Sequence, residues 1–328
     1  MNYPATLSPI NAAEHRHANR MENEVLAGLA THPQKALLPV YFYDEAGSLL
    51  YERITELPEY YPTRTETAML QEIAPQLLNM VNPVEMVELG SGSSTKTRIL
   101  LDMFTRHGAL ERYVPIDISQ SMLQATAETL QTQYPRLDVS GVCGSFEVAL
   151  AAIPKAQERL YIFLGSTLGN FSPDYQDVFM RNLWNAMLPG NTFLLGFDVR
   201  PNARKPLAVV ENAYNDAQGV TAQFNLNILR HLNRALGSDF KMDHWQHYAF
   251  YNTEAHQIEM HLVSLQAQTA HINRHQVTFE KGETVLTEIS RKYDPAELAL
   301  WFEAIGFTVQ HTWSDENQYF GLMLLEKP

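Results

Sequence analysis

The chain has 328 residues, with 24 Lys+Arg against 37 Asp+Glu, a formal net charge of −13, 45% hydrophobic and 19% charged residues. This composition excludes long disorder and leaves room for two domains, or for one domain with a large insertion. The acidic balance argues against a nucleic-acid partner, whose phosphates are bound by clustered Lys and Arg. The single cysteine, Cys143, excludes an internal disulfide framework and a Cys-rich zinc site, and suits a reducing cytoplasm.

No basic segment followed by an apolar run marks the start of the chain, and no stretch approaches the ~18 apolar residues of a membrane span. Neither a secretory signal nor a membrane partner is expected. The opening 20 residues, with Glu14, His15, Arg16, His17 and Arg20, read as a polar surface arm, and 21–29 as a short helix. The turn-forming residues of 43–48 and 57–64 predict an ordered, packed loop. From residue 66 helix and strand alternate. Helical spacing covers 67–80, an apolar run at 84–89 reads as a strand, and helical spacing returns over 94–104. A strand over 112–117 leads to Ser119, a candidate N-cap for a helix through 130. Strands follow at 137–142 and 159–164, then a helix over 174–187 stopped by Pro189-Gly190, and a fifth strand over 192–199. Strands separated by single helices predict βαβ units and a parallel sheet. Between 200 and 292 the pattern changes to a helix over 219–236 and alternating stretches, such as 256–262 and 284–289, that suit an antiparallel sheet. The tail predicts a helix over 295–305 closed by Gly306, then a hairpin of 307–313 with 319–325.

The strongest motif is Val87-Glu88-Leu89-Gly90-Ser91-Gly92-Ser93-Ser94-Thr95-Lys96-Thr97, at the first strand-to-helix turn. Glycines there let the backbone approach a ligand, and the following helix start presents N–H groups. A dinucleotide fingerprint would need a third glycine where Thr95 stands. The acid at Glu88 and the missing glycine instead give an E-x-G-x-G turn, the signature of S-adenosylmethionine (SAM)-binding methyltransferases. The next strand ends in Asp117, a carboxylate suited to ribose hydroxyls, about 27 residues after Gly90 where ~20 is usual. Beyond the fourth strand lies Gly165-Ser166-Thr167-Leu168-Gly169-Asn170-Phe171-Ser172-Pro173. Asn170 can orient a substrate amine or carboxylate there, or act simply as a turn residue.

Several separated blocks in order resemble the EgtD family of L-histidine Nα-methyltransferases of ergothioneine biosynthesis. They are Tyr43-Asp44 through Arg64, Glu88 to Thr97, Gly165 to Asn170, Ala213 to Asn225, and Thr287-Glu288-Ile289-Ser290. The resemblance covers nearly the whole chain. It implies a Rossmann-like class I SAM-dependent methyltransferase fold, α/β, with a second α+β substrate-binding domain. It also implies three successive methyl transfers from SAM to the α-amine of L-histidine, giving hercynine. Gly90, Lys96, Asp117 and Phe146 match residues that contact SAM, and Tyr43 matches a tyrosine bridging cofactor and substrate. Asn170 and Tyr214 match residues holding the substrate carboxylate, so that Tyr43, Asn170 and Tyr214 are the expected catalytic set. Glu288 and Ser290 match the pair that reads the imidazole, with Tyr60, Thr221, Phe224 and Met260 as the remaining wall. At Ser145 the family carries an acid that accepts from the adenine amino group; a serine there accepts more weakly.

These residue types suit that chemistry on their own terms. Glu288 and Ser290, two apart on a strand, point the same way toward a ring with two nitrogens. Unpaired, such groups reject apolar amino acids. Tyr43, Tyr60 and Phe224 can stabilise a quaternary cation, and Tyr43 or an adjacent water is a candidate acceptor for the ammonium proton. The alternatives are methylation of another amine, such as a tryptophan derivative, and a SAM-binding protein without turnover. His244-x-x-His247 and His271-x-x-x-His275 lack the Glu of a zincin, so no metal is expected. Cys143 reads as a small core residue, Arg200, Arg204 and Lys205 as solvated, and the stripe Phe224, Ile228, Leu232 mostly as core. The expected organisation is a methyltransferase domain of 65–199 and 293–328, and a substrate domain of 1–64 and 200–292 with the active site in the cleft. A cytoplasmic monomer is expected.

Overall fold

The computed structural model describes residues 6–9 and 14–328; residues 1–5 and 10–13 of the expected arm lie outside these. The chain begins with β1 (Thr6–Pro9) and α1 (Glu14–Leu29), a helix that starts before Met21 because the Glu, Arg and Ala residues ahead of it are good helix formers. Its buried stripe is Met21, Val25 and Leu29. After β2 (Lys35–Ala36), part of each segment expected to be loop is helix: 45–48 open α2 (Glu45–Thr55), and 61–64 open α3 (Tyr61–Met80), which continues through the helix expected over 67–80. Asp44 explains the first, since its side chain accepts from the Gly47 N–H at 2.8 Å and caps α2. Pro62 fits the second, because the first helical turn needs no N–H from it. The turn-forming residues mark helix starts.

The alternation then runs β3 (Glu85–Leu89), α4 (Arg98–His107), β4 (Arg112–Asp117), α5 (Gln120–Gln133), β5 (Asp138–Cys143), α6 (Phe146–Ala152), β6 (Arg159–Phe163), α7 (Pro173–Ala186) and β7 (Thr192–Asp198). Ser119 caps α5 as expected, accepting from the Met122 N–H. After β7 come α8 (Leu207–Asn212), α9 (Val220–Leu236), β8 (Trp245–Asn252), β9 (Gln257–Ser264), β10 (Gln268–Ile272), β11 (His275–Phe279) and β12 (Thr284–Arg291). The chain ends with α10 (Pro295–Ile305), β13 (Thr308–Ser314) and β14 (Phe320–Glu326). No helix among the described residues is long and apolar enough to cross a membrane.

Two compact units result, one of residues 6–9, 62–200 and 292–328, the other of 14–61 and 201–291. The N-terminal strand departs from the expected partition. β1 pairs parallel with β5 and so belongs to the first unit, where it satisfies the open edge that β5 would otherwise present.

In the first unit an eight-stranded sheet runs β1-β5-β4-β3-β6-β7-β14-β13, parallel except where β14 reverses against β7 and β13. Successive strand residues feed opposite faces. Val87, Val114, Tyr161, Leu195 and Met323 join one core under α7 and α10; Met86, Tyr113, Leu160, Leu194 and Leu322 join the other under α3, α4 and α5. Burial on both faces explains why these strands read as continuous apolar runs. This is the Rossmann-like fold of class I methyltransferases. Its strand order reverses between β3 and β6, so the loops after these two strands flank the crevice in which such sheets bind ligands.

In the second unit a sheet runs β2-β12-β9-β8, antiparallel except for β2 on β12, with β10-β11 as a separate hairpin. The α9 stripe Phe224, Ile228, Leu232 is buried, as expected of core. A bulge in β12 between Leu286 and Glu288 changes which residues are buried. Val285 is buried before it, Thr287 at it, and Glu288 and Ser290 after it.

Candidate active site

In the first unit the turn after β3 carries left-handed backbone at Gly90 (φ +70°), Gly92 (φ +49°) and Ser94 (φ +51°). A Cβ on Gly92 would meet nothing within 4 Å, and one on Gly90 would come within 3.6 Å of the Phe146 ring. The Ser91 hydroxyl is buried here without a hydrogen-bond partner. Asp117, at the end of β4, accepts from the N–H groups of Gly92 and Ser119, both at 2.9 Å. Burial pushes its carboxyl up, against the pull of these backbone donors. Ser145 sits at the N-cap of α6 without capping it through its side chain, and Phe146 follows, its ring edge-on to Phe163 at 5.5 Å. The structure thus brings Gly90, Asp117 and Phe146 to one turn.

Two buried acids support that turn. Glu88 accepts from the Thr97, Tyr113 and Ser94 hydroxyls, yet burial dominates and pushes its carboxyl up to about 7. Glu66 of α3 pairs with Lys96. Asn170 ends a short 3-10 turn, Thr167–Asn170, half-buried after β6, and Ser172 caps α7 just beyond it.

The second unit holds the other expected site residues. Tyr43 and Phe224 meet edge to face with centroids 5.8 Å apart, and Phe42 stacks on Phe224 at 4.5 Å. Tyr60 and Tyr214 meet edge to face at 6.3 Å. The Tyr214 hydroxyl donates to Ser290 Oγ at 2.8 Å. Glu288 lies opposite Met260 in the β12–β9 register and is 8% exposed. Burial first, then Tyr51, Tyr214 and Glu288, hold the Tyr60 hydroxyl far above its ordinary pKa, so it stays a neutral phenol. Thr221, in the first turn of α9, is buried and donates its N–H to Asp216 at 2.7 Å. Asn170 belongs to the first unit and Tyr214 to the second.

Residues missed from sequence complete both clusters. Tyr51 packs on Tyr43 at 5.9 Å and Phe224 at 6.1 Å; it lies on α2, whose helical period was masked by turn-forming residues. Asn225 accepts from Thr287 Oγ1 at 2.7 Å and donates to His247 Nδ1 at 2.9 Å. That leaves His247 Nε2–H to donate to the Tyr214 carbonyl at 2.9 Å, and burial holds the ring neutral. His247 therefore braces Tyr214. His244, its partner in the metal reading, contacts Gln268 at 3.2 Å.

A family profile described as histidine-specific, SAM-dependent methyltransferase matches residues 21–327. The chain is 41% identical over 309 residues to a histidine N-alpha-methyltransferase of Mycobacterium tuberculosis, covering 94% of this chain and 95% of that one. It is 38% identical, with the same coverage, to the enzyme of that name from Mycolicibacterium smegmatis. An L-tryptophan methyltransferase of Psilocybe serbica is 27% identical over 332 residues, covering 92% of this chain and 91% of that one. The chain belongs to the family of SAM-dependent, histidine-specific methyltransferases.

Proposed function

We propose that the enzyme transfers three methyl groups in succession to the α-amine of L-histidine, giving hercynine, the first step of ergothioneine biosynthesis. One observation carries the reading: a buried carboxylate and hydroxyl, Glu288 and Ser290, stand among aromatic rings, with Tyr214 bonded to the hydroxyl. Imidazole presents one donor and one acceptor nitrogen, which an acceptor-only carboxylate and a hydroxyl complement. An indole offers one N–H and a larger apolar body, and would leave part of this set unpaired at a cost.

The first unit suits SAM. The Gly92 turn leaves space that a Cβ would fill, the Ser91 hydroxyl lacks a partner, Asp117 offers a carboxylate to a ribose, and the Phe146 ring flanks Gly90. SAM supplies a methyl group on a positively charged sulfur. The protein's part is to hold a neutral amine in line with it. In this reading Gly90, Lys96, Asp117, Ser145 and Phe146 bind the cofactor, and Asn170 and Tyr214 orient the substrate carboxylate. Tyr43, Tyr60, Phe224, Thr221 and Met260 line the pocket, whose ring faces favour the product's quaternary nitrogen. Tyr60, held as a phenol, is no base at neutral pH. The single cysteine, a free thiol at Cys143, suits a reducing compartment such as the cytoplasm; size-exclusion chromatography checks the expected monomer.

Mass spectrometry of L-histidine incubated with enzyme and SAM tests the reading. A product carrying three added methyl groups is expected. Unchanged histidine alongside methylated L-tryptophan would overturn it.

A further inference from the structure

The Glu66 carboxylate stands where three segments of the first unit meet. It projects from α3 with 0% exposure, accepts the Gly165 N–H on its two oxygens at 2.8 and 3.0 Å, and binds Lys96 Nζ. Lys96 belongs to the turn after β3 and Gly165 to the loop after β6, so the carboxylate ties together the two loops that flank the reversal of strand order. The surroundings are cut to fit it. A Cβ on Gly196, within β7, would overlap Glu66 Oε1. Gly165 takes φ +76°, and a Cβ there would lie 3.5 Å from Lys96 Nζ.

Burying a carboxylate with an ammonium is seldom a net gain in stability over well-packed apolar side chains. Its benefit is directional: a point charge on a flexible four-carbon stem is fixed in one place. We propose that Glu66 is a positioning residue, holding the Lys96 ammonium and the Gly165 loop so that Lys96 meets the carboxylate of the cofactor's amino-acid end. The proposal rests on the reading of Lys96 as a cofactor residue. Both groups aimed at Glu66 are donors, so only a side chain whose two oxygens both accept suits the position. Glutamine would set an NH2 against a donor. The pair also tethers the loop that leads to Asn170.

The test is calorimetry on the full chain with two ligands, S-adenosylhomocysteine and 5′-methylthioadenosine. The second keeps the nucleoside and thioether but lacks the amino-acid end. Glu66→Gln and Lys96→Met are each expected to weaken S-adenosylhomocysteine binding about tenfold or more, while methylthioadenosine binding stays within about twofold. The double variant is expected to lose no more than the worse single one, because Glu66 acts through Lys96. Equal weakening of both ligands by Glu66→Gln would mean a general role in the fold and overturn the proposal. So would unchanged S-adenosylhomocysteine binding, or losses that multiply in the double variant. Should Glu66→Gln not fold, Glu66→Asp keeps the charge but shortens its reach, and the same discrimination between ligands is expected. A wild-type chain that binds neither ligand would instead overturn the functional reading itself.

Discussion

Tyr214 and Ser290 are joined by a hydrogen bond from the tyrosine hydroxyl to Ser290 Oγ, 2.8 Å long and buried. Sequence comparison of roles separates them, giving Tyr214 to the substrate carboxylate and Ser290 to the imidazole. The bond makes them one unit. Tyr214→Phe and Ser290→Ala each remove one end of this buried hydrogen bond, a loss of about 1–3 kcal/mol. Each variant is expected to lower kcat/KM for L-histidine by roughly tenfold to a hundredfold, chiefly through KM. The double variant is expected to lose much less than the product of the two. Steady-state kinetics on all four proteins reads this, and losses that multiply would show that the residues act apart.

The alternation of helix and strand, the E-x-G-x-G turn and Asp117 were legible because local spacing encodes them: β3, β4, β6 and β7 are short apolar runs with turn signals at their ends. The position of α2 was not legible, since Asp44 and Gly47 signal a turn whether or not a helix follows. Nor was β1, whose four residues gain order only by pairing with β5, distant in sequence. Glu288 and Ser290 were found as a pair for a partly sufficient reason. Strand alternation puts them on one side, but the bulge at Thr287 makes them the buried side, and no local pattern announces a bulge. Glu66 was invisible as a partner of Lys96 because a single acid in a helical stretch reads as solvated.

Glu88 predicts a pH dependence of stability. Burial lifts its carboxyl from the ordinary 4.5 to about 7 despite three hydroxyl donors. The folded state therefore holds the proton more tightly than the unfolded state does. The stabilisation is complete below about pH 4.5, declines as the unfolded state ionises, and is lost once the pH has risen through about 7. Glu88→Gln stays neutral throughout. Its stability relative to wild type is expected to rise between pH 5 and pH 8 by roughly 2.5 kcal/mol. A constant offset from the altered hydrogen bonds is superimposed, so the slope is the readout. Parallel Tm curves for the two proteins across that range would refute the assignment.

Ser145 offers a test of the cofactor side. Its side chain makes no capping bond to α6, although its backbone is extended as an N-cap requires. A carboxylate there gains twice, as a stronger acceptor for an adenine amino group and as a charge at a helix start. Ser145→Asp is expected to tighten S-adenosylhomocysteine binding by roughly threefold to tenfold in calorimetry. Tighter binding by the wild type would remove Ser145 from the adenine site.

Glu288 carries the specificity argument. It is buried opposite Met260, two residues from Ser290, and its charge contributes to holding Tyr60 as a phenol. An acceptor-only group in that place demands a donor from the ligand, and histidine's ring N–H supplies one. Glu288→Ala removes the acceptor and leaves a small apolar gap, so the loss combines an unpaired imidazole donor with a looser pocket. Histidine turnover is expected to fall about a hundredfold or more. Binding of S-adenosylhomocysteine is expected to stay at the wild-type value, since Glu288 belongs to the second unit and Gly90, Lys96, Asp117, Ser145 and Phe146 to the first. Glu288→Gln, which keeps one acceptor oxygen, should retain more activity than Glu288→Ala. Measuring kcat/KM for histidine alongside the cofactor's Kd separates the outcomes: an unchanged rate excludes Glu288 from the substrate site, and a parallel loss of cofactor binding makes its role one of folding.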